Sequence, residues 1–362
     1  MSLLVAAPDK FRGTATARQA SEAIAEGASR SGWSVRQFPL SDGGEGFLDV
    51  LDEVGGQRHT LTVDGPLGGP VDARWLGGDR LAVIEMARAS GLALVGGAAG
   101  NDPRRASSRG TGQLVVAAAQ WLREQPPTGA GGHRILVEPG AASADGTILV
   151  GLGGSANSDG GMGAVEVIEA AGGLDGIQLI GACDVDVPFL MAAAQFGPQK
   201  GATDADVVAI EARLREVARY YEARFGVDVL PIAGAGAAGG LGGAIVALGG
   251  RLRSGYEIIA ELTGFRQVLR AGELVVTGEG AFDASSLAGK TAASVLRDAT
   301  ALGIDTLLIA GRVSPEARRA GEAMGASVVA LTEQFGEKRA LTDTTGCIAT
   351  AVAAHLEVLT SS

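Results

Sequence analysis

From Leu274 to the C-terminus, short apolar runs alternate with helix-period segments, and this alternation narrows the possible folds more than any other feature. Strand-like runs at Leu274–Thr277, Thr306–Ala310 and Ser327–Leu331 are separated by helical stretches at Thr291–Leu302, Pro315–Met324 and Thr344–Leu359. Such an alternation closes most readily as a parallel sheet covered by helices, a doubly wound arrangement. The N-terminal segment has the same rhythm, with a strand at Leu3–Ala7, a helix at Ala15–Ser31 capped by Thr14, and a strand at Ser34–Pro39. Hydrophobic residues make up 46% of the chain but aromatic ones only 4%, so the core is built from Ala, Val, Leu and Ile, which suits helices on a parallel sheet.

The middle of the chain reads differently. Strand candidates at Arg58–Val63, Val71–Leu76 and Arg80–Glu85 are separated by turns rather than helices, which implies an antiparallel or mixed sheet. A helix at Thr111–Glu124 is followed by the loop Pro126–Gly132, strands at Arg134–Glu138 and Thr147–Leu152, a helix at Gly161–Ala171 and a strand at Gln178–Cys183. In the long helix Asp204–Phe225, the spacing of Val208, Leu214, Val217 and Tyr221 predicts a core-facing stripe. A chain of 362 residues exceeds the ~250–300 at which a single core stops growing. The expected fold is therefore α/β with two domains. Residues 1–70 and 285–362 form a doubly wound, Rossmann- or flavodoxin-like parallel-sheet domain, and residues 71–284 form an inserted α/β domain with a mixed sheet. Ligand is expected in the cleft between them.

Charge and composition exclude several functions. A net charge of -11 with a pI near 4.9 repels nucleic acid and anionic membranes. Cys183 and Cys347 lack a C-x-x-C spacing and read as reduced thiols, which with the missing signal segment implies a cytoplasmic protein. His59, His133 and His355 show no metal-ligand spacing, and no G-x-S-x-G elbow is present. The 57 glycines, about twice ordinary usage, cluster in short loops that combine them with carboxylates and hydroxyls.

Two motifs mimic familiar nucleotide sites. Ala284–Thr291 resembles a Walker A loop but has Ala284 where the leading glycine belongs, so it is not read as a P-loop. Gly234–Gly239 matches G-x-G-x-x-G, yet no strand with a terminal acidic residue follows to read a ribose; a phosphate seat remains open to it. The loop Leu149–Ser155, continuing through Asn157 to Asp159-Gly-Gly161, offers amides for an anion and side chains for a hydroxyl; Asp159 as a plain helix cap is the alternative.

Read in order, these loops resemble those of the type I glycerate kinase family. The resemblance rests on Ala6-Ala-Pro-Asp-Lys-Phe-Arg-Gly13, Ser41-Asp-Gly-Gly-Glu-Gly46, Val83-Ile-Glu-Met-Ala87, Gly151-Leu-Gly-Gly-Ser-Ala156, Ala182-Cys-Asp-Val-Asp186, Phe196–Ala202, Gly234–Gly242 and Thr277-Gly-Glu-Gly280 through Lys290. Lys10 and Arg12 stand where the family has Ser and Lys, and S-A-N-S-D-G-G replaces S-A-T-N-D-G-G. The resemblance implies ATP- and Mg²⁺-dependent phosphorylation of D-glycerate, with the 2-hydroxyl favoured as acceptor.

Phosphoryl transfer needs carboxylates for Mg²⁺ and cations for phosphate and substrate carboxylate. The catalytic candidates are Asp184, Asp42, Lys10 and Arg12, with Asp184 or Asp42 as base. Arg109, Ser155, Asn157 and Asp159 are candidates for substrate, Gly234, Gly236, Gly239, Lys200 and Lys290 for nucleotide, and Glu279 and Asp283 for metal. The competing readings are an NAD-dependent oxidoreductase using the Gly234–Gly239 loop and a non-enzymatic hydroxy-acid binding protein.

Overall fold

The computed structural model describes residues 2–52, 55–126, 145–287 and 289–361. The strand expected at Arg134–Glu138, the loop beyond Pro126 and His133 lie outside the described residues. The strands, in chain order, are β1 (Leu3–Ala6), β2 (Ser34–Gln37), β3 (Gln57–Asp64), β4 (Pro70–Gly78), β5 (Leu81–Glu85), β6 (Gly146–Gly151), β7 (Ile177–Ala182), β8 (Arg251–Arg253), β9 (Leu274–Phe282), β10 (Asp305–Val313) and β11 (Ala326–Ala330). The chain divides into two units, Met1–Asp42 with Ile259–Ser362 and Gly43–Ile258.

The first unit contains a five-stranded sheet in the order β11-β10-β9-β1-β2, all of whose pairings are parallel. Counted within the unit, this is the 2-1-3-4-5 order of flavodoxin-like sheets, with the topological switch between β1 and β9. Period-two alternation along β10 buries both faces. Leu307 and Ile309 join Leu4, Ala6 and Val276 against Ile24, Ile348 and Val352. On the opposite face, Leu308 and Ala310 pack with Ala292, Leu296 and Ala317. The helix Ala17–Ser29 lies so close to the helix Thr344–Ser361 that a Cβ on Gly27 would stand 2.4 Å from the Ala349 carbonyl oxygen. Its cap is Thr16, in a capping box with Gln19, rather than Thr14. The Thr14 hydroxyl instead donates to the Phe11 carbonyl within the preceding turn.

The second unit contains a six-stranded mixed sheet in the order β3-β4-β5-β6-β7-β8. The β3/β4 and β4/β5 pairs are antiparallel and the remaining pairs parallel. In the helix Asp204–Phe225 the buried stripe is Ile210, Leu214, Val217 and Tyr221. Val208 is 70% exposed and not part of it, because two residues before Ile210 is about 200° around the helix. The unit boundaries differ from the turn-based ones at residues 70 and 285. The β3/β4 hairpin pairs over its whole length, which keeps both its strands in the mixed sheet, while β9 pairs with β1 and β10 in the parallel sheet.

Candidate functional site

At the switch point of the parallel sheet, the chain leaving β1 is held on both sides. The Asp9 amide donates to Gly278 O at 2.8 Å, Leu40 N donates to Pro8 O at 2.9 Å, and the Thr277 hydroxyl donates to Ala7 O at 2.8 Å. These bonds fix three carboxylates and one ammonium at the carboxyl ends of β1, β2 and β9. Lys10 Nζ lies 3.2 Å from Asp42 Oδ1 and 3.5 Å from Asp9 Oδ1. Burial, then the neighbouring Asp42 charge, pushes the Asp9 carboxyl up to about 6. Burial alone would lower the Lys10 pKa, but Asp9 and Asp42 together raise it, so the ammonium is firmly charged. Arg12 is exposed on the adjacent turn, and its charge works slightly against that of Lys10.

Glu279 reaches the same neighbourhood from β9. Burial first, and the Asp9 charge second, push its carboxyl up to about 7. Its Oε1 is buried without a hydrogen-bond partner. Asp283 is held differently: its Oδ1 accepts from Ser285 N at 2.8 Å and Ser285 Oγ at 2.6 Å, and these bonds lower its pKa. Lys290 Nζ donates to Ser285 Oγ at 2.8 Å, and its charge acts on both Glu279 and Asp283. Four of the residues singled out from sequence, Lys10, Asp42, Glu279 and Lys290, thus share one electrostatic neighbourhood.

The candidates in the second unit are mostly committed to holding loops together. Asp159 is fully buried. Its Oδ2 accepts from Ser108 N and Oγ, both at 2.8 Å, and from Ser107 Oγ and Gly163 N at 3.3 Å; its Oδ1 accepts from Asn157 Nδ2 at 2.9 Å and Gly161 N at 3.1 Å. This carboxylate is saturated by the protein, which is the capping role writ large. Asn157 also donates to Ala238 O at 3.0 Å, and Tyr221 Oη donates to Gly160 O at 2.7 Å. Lys200 is 2% exposed, its Nζ donates to Asn157 O at 2.6 Å, and burial pushes its pKa down to about 7. Ser155 pairs with Gly91 through an isolated bridge. Arg109 forms a surface pair with Asp64, Nε to Oδ2, at 3.1 Å. Asp184 accepts from Gly255 N at 3.0 Å and Tyr256 N at 3.4 Å, at the start of the helix Gly255–Thr263.

The Gly234–Gly239 loop has close packing around it rather than open space. A Cβ on Gly239, whose φ is +66°, would lie 2.1 Å from Asn157 O, and one on Gly236 would lie 2.5 Å from Pro188 O. Ala238, Gly239 and Gly240 are all left-handed, which breaks the start of the helix Ala237–Ala247. No strand leads into this loop among the described residues, so the strand-turn-helix context of a dinucleotide fingerprint is missing.

Comparison with known proteins bears on what such a site serves. A sequence profile of the glycerate kinase family matches residues 4–173 and 164–360. The chain belongs to the glycerate kinase family. It is 38% identical over 348 residues to a glycerate kinase of Halalkalibacterium halodurans, covering 86% of each chain. It is 35% identical over 352 residues to the glycerate 2-kinase of Escherichia coli, again covering 86% of each. An uncharacterized Mycobacterium bovis protein is 39% identical over 354 residues, 94% of this chain and 86% of its own. A crystal structure of a Salmonella typhimurium protein assigned as glycerate kinase 2 superposes with a TM-score of 0.73 at 28% identity, covering 100% of this chain and 99% of that one.

For a member of the glycerate kinase family, the residue that sequence reasoning passes over is Asp9. It stands inside the quoted N-terminal motif, but beside Pro8 and Lys10 it looks like any turn carboxylate. Only the tertiary packing buries it beside Lys10, whose ammonium it shares with Asp42. Among the described residues, no group of three or more His, Cys, Asp or Glu is placed to hold a metal unaided. Mg²⁺ usually takes one or two carboxylates and completes its shell with water and phosphate oxygens. The unpartnered Glu279 Oε1 near Asp9 fits that sparse mode. No helix among the described residues is long and apolar enough to cross a membrane.

Proposed function

We propose that this chain transfers the γ-phosphoryl group of ATP to D-glycerate, with the 2-hydroxyl as acceptor, in the cytoplasm. The observation that carries the reading is Lys10 held between Asp9 and Asp42 at the switch point of a flavodoxin-like sheet, in a member of the glycerate kinase family. Open α/β sheets bind ligands at the carboxyl ends of their strands, at this switch.

Phosphoryl transfer asks for positioning and charge stabilisation more than covalent chemistry. Lys10 and Arg12 supply positive charge to the transferring group. Asp42 takes the proton of the acceptor hydroxyl, with Lys10 orienting its carboxylate. Asp42 is preferred to Asp184 as base because it stands with Lys10 and Asp9 at the switch point, whereas Asp184 accepts amides at the start of the helix Gly255–Thr263. Glu279 would hold Mg²⁺, with Asp283 as a second candidate ligand, and the ion would neutralise charge on the β- and γ-phosphates.

A coupled ADP-release assay tests the reading. Mg²⁺-dependent turnover is expected with D-glycerate and little with glycerol, because glycerol leaves the carboxylate-binding cation unpaired. Equal turnover of the two would overturn the substrate class.

A further inference from the structure

The helix Thr291–Leu302 begins without a side-chain cap, as do Arg109–Glu124 and Met162–Ala170, but with a buried hydroxyl at its first position. The helices that start at Ala17, Asp204 and Pro315 are each capped by a hydroxyl, from Thr16, Thr203 and Ser314 respectively. At this helix the cap position is Lys290, which has no acceptor, and no side-chain cap bond forms. The amides of its first turn have no intrahelical acceptor. Thr291 is 1% exposed and its Oγ1 is buried with no well-formed hydrogen bond, although it lies near the Asp9 carboxylate. Glu279 Oε1, from β9, is likewise buried and unpartnered. An unsatisfied buried hydroxyl costs stability, and a valine of the same shape would avoid that cost. An unpartnered Glu279 oxygen, and a Thr291 hydroxyl whose near neighbour is the Asp9 carboxylate, stand by helix amides without a side-chain cap, an arrangement that matches an occupant with both positive and negative charge.

A bare phosphate would meet repulsion from Glu279 and Asp9. A cation alone would be repelled by Lys290 and by the positive end of the helix. A phosphate paired with a divalent cation satisfies both sets. We propose that the start of the helix Thr291–Leu302 is the seat of the nucleotide's terminal phosphates and their divalent cation. The first-turn amides and Lys290 face the phosphate, and the Thr291 hydroxyl and Glu279 face the cation. This assigns a role to Thr291 and moves the phosphate seat away from the Gly234–Gly239 loop. Gly289–Thr291 then serves as a helix-terminal phosphate site, and Ala284 in place of a Walker A loop's leading glycine is no obstacle to it. The inference rests on the kinase reading of the site.

The test uses the full-length protein and a non-hydrolysable ATP analogue with Mg²⁺, measured by calorimetry, alongside ligand-free melting curves. Thr291→Val is expected to melt at or above the wild-type temperature and to bind the Mg²⁺-analogue about tenfold more weakly or worse. Thr291→Ser, which restores the hydroxyl, is expected to bind within about threefold of wild type. Wild-type affinity in Thr291→Val would overturn the inference, as would a drop of several degrees in its melting temperature, since that would make the hydroxyl a structural donor. Failure of the wild-type protein to bind any Mg²⁺-nucleotide would overturn the kinase reading itself, a result distinguishable from loss of this inference alone.

Discussion

Replacing Gly239 with alanine separates a packing glycine from a nucleotide-binding one. The new Cβ would stand 2.1 Å from Asn157 O and 2.8 Å from Ser158 Cα, both backbone atoms that cannot swing aside. The left-handed φ of +66° adds about 1–2 kcal/mol for a residue with a side chain. Overpacking against the Asn157 backbone adds about 1–3 kcal/mol. Together these predict a loss of about 2–5 kcal/mol, which for a unit of this size lowers Tm by roughly 5–20 °C. The strain falls on the loop that presents Asn157 to Asp159 and Ala238, since Gly160 N also donates to Gly239 O at 2.9 Å. Thermal unfolding and the KM for ATP, measured on one purified variant, give the answer. A melting temperature within about 2 °C of wild type with a raised ATP KM would refute the packing argument and return the loop to the nucleotide.

Two further outcomes follow from the charges. Burial holds Lys200 near 7 in the folded state, against an ordinary lysine value of 10.5, so between those values the unfolded chain binds the extra proton and stability rises with pH. Urea titrations from about pH 6 to 10 should therefore show wild-type stability gaining on Lys200→Met by up to about 1 kcal/mol per pH unit above about pH 7; parallel profiles would contradict the burial argument. Asp42→Asn should lower kcat about 10²-fold or more with little change in Tm, whereas Asp184→Asn should cost about 1 kcal/mol of stability and keep kcat. The reverse pattern would give Asp184 the role of base.

Much of the fold can be read directly from residue spacing. Period-two and helical patterns locate the strands of the last third, because a strand buried on both faces and a helix with one apolar stripe leave different marks on a sequence. Unit boundaries are less legible: turn residues mark where a chain bends, while sheet membership decides to which unit β3 and β9 belong. Val208 is misplaced by its spacing because a stripe several residues long fits more than one helical phase until Ile210 and Tyr221 are seen to be buried. In the site, residue type and motif single out Lys10, Asp42, Glu279 and Lys290. Asp9 and Thr291 cannot be picked out, since burial and the absence of a partner are properties of tertiary packing. Asp159 and Lys200 show the converse. Their motifs look chemical, but a carboxylate that accepts six hydrogen bonds and an ammonium bound to a main-chain carbonyl are tied to the loops that carry them.

Transfer of the γ-phosphoryl group of ATP to the 2-hydroxyl of D-glycerate is the proposed reaction. It is tested most directly by phosphorus NMR of the products formed from D-glycerate, ATP and Mg²⁺. ADP and 2-phosphoglycerate are expected in equal amounts. Accumulation of 3-phosphoglycerate would contradict the assigned acceptor, and ADP with free phosphate in place of any phosphoglycerate would contradict the transferase activity.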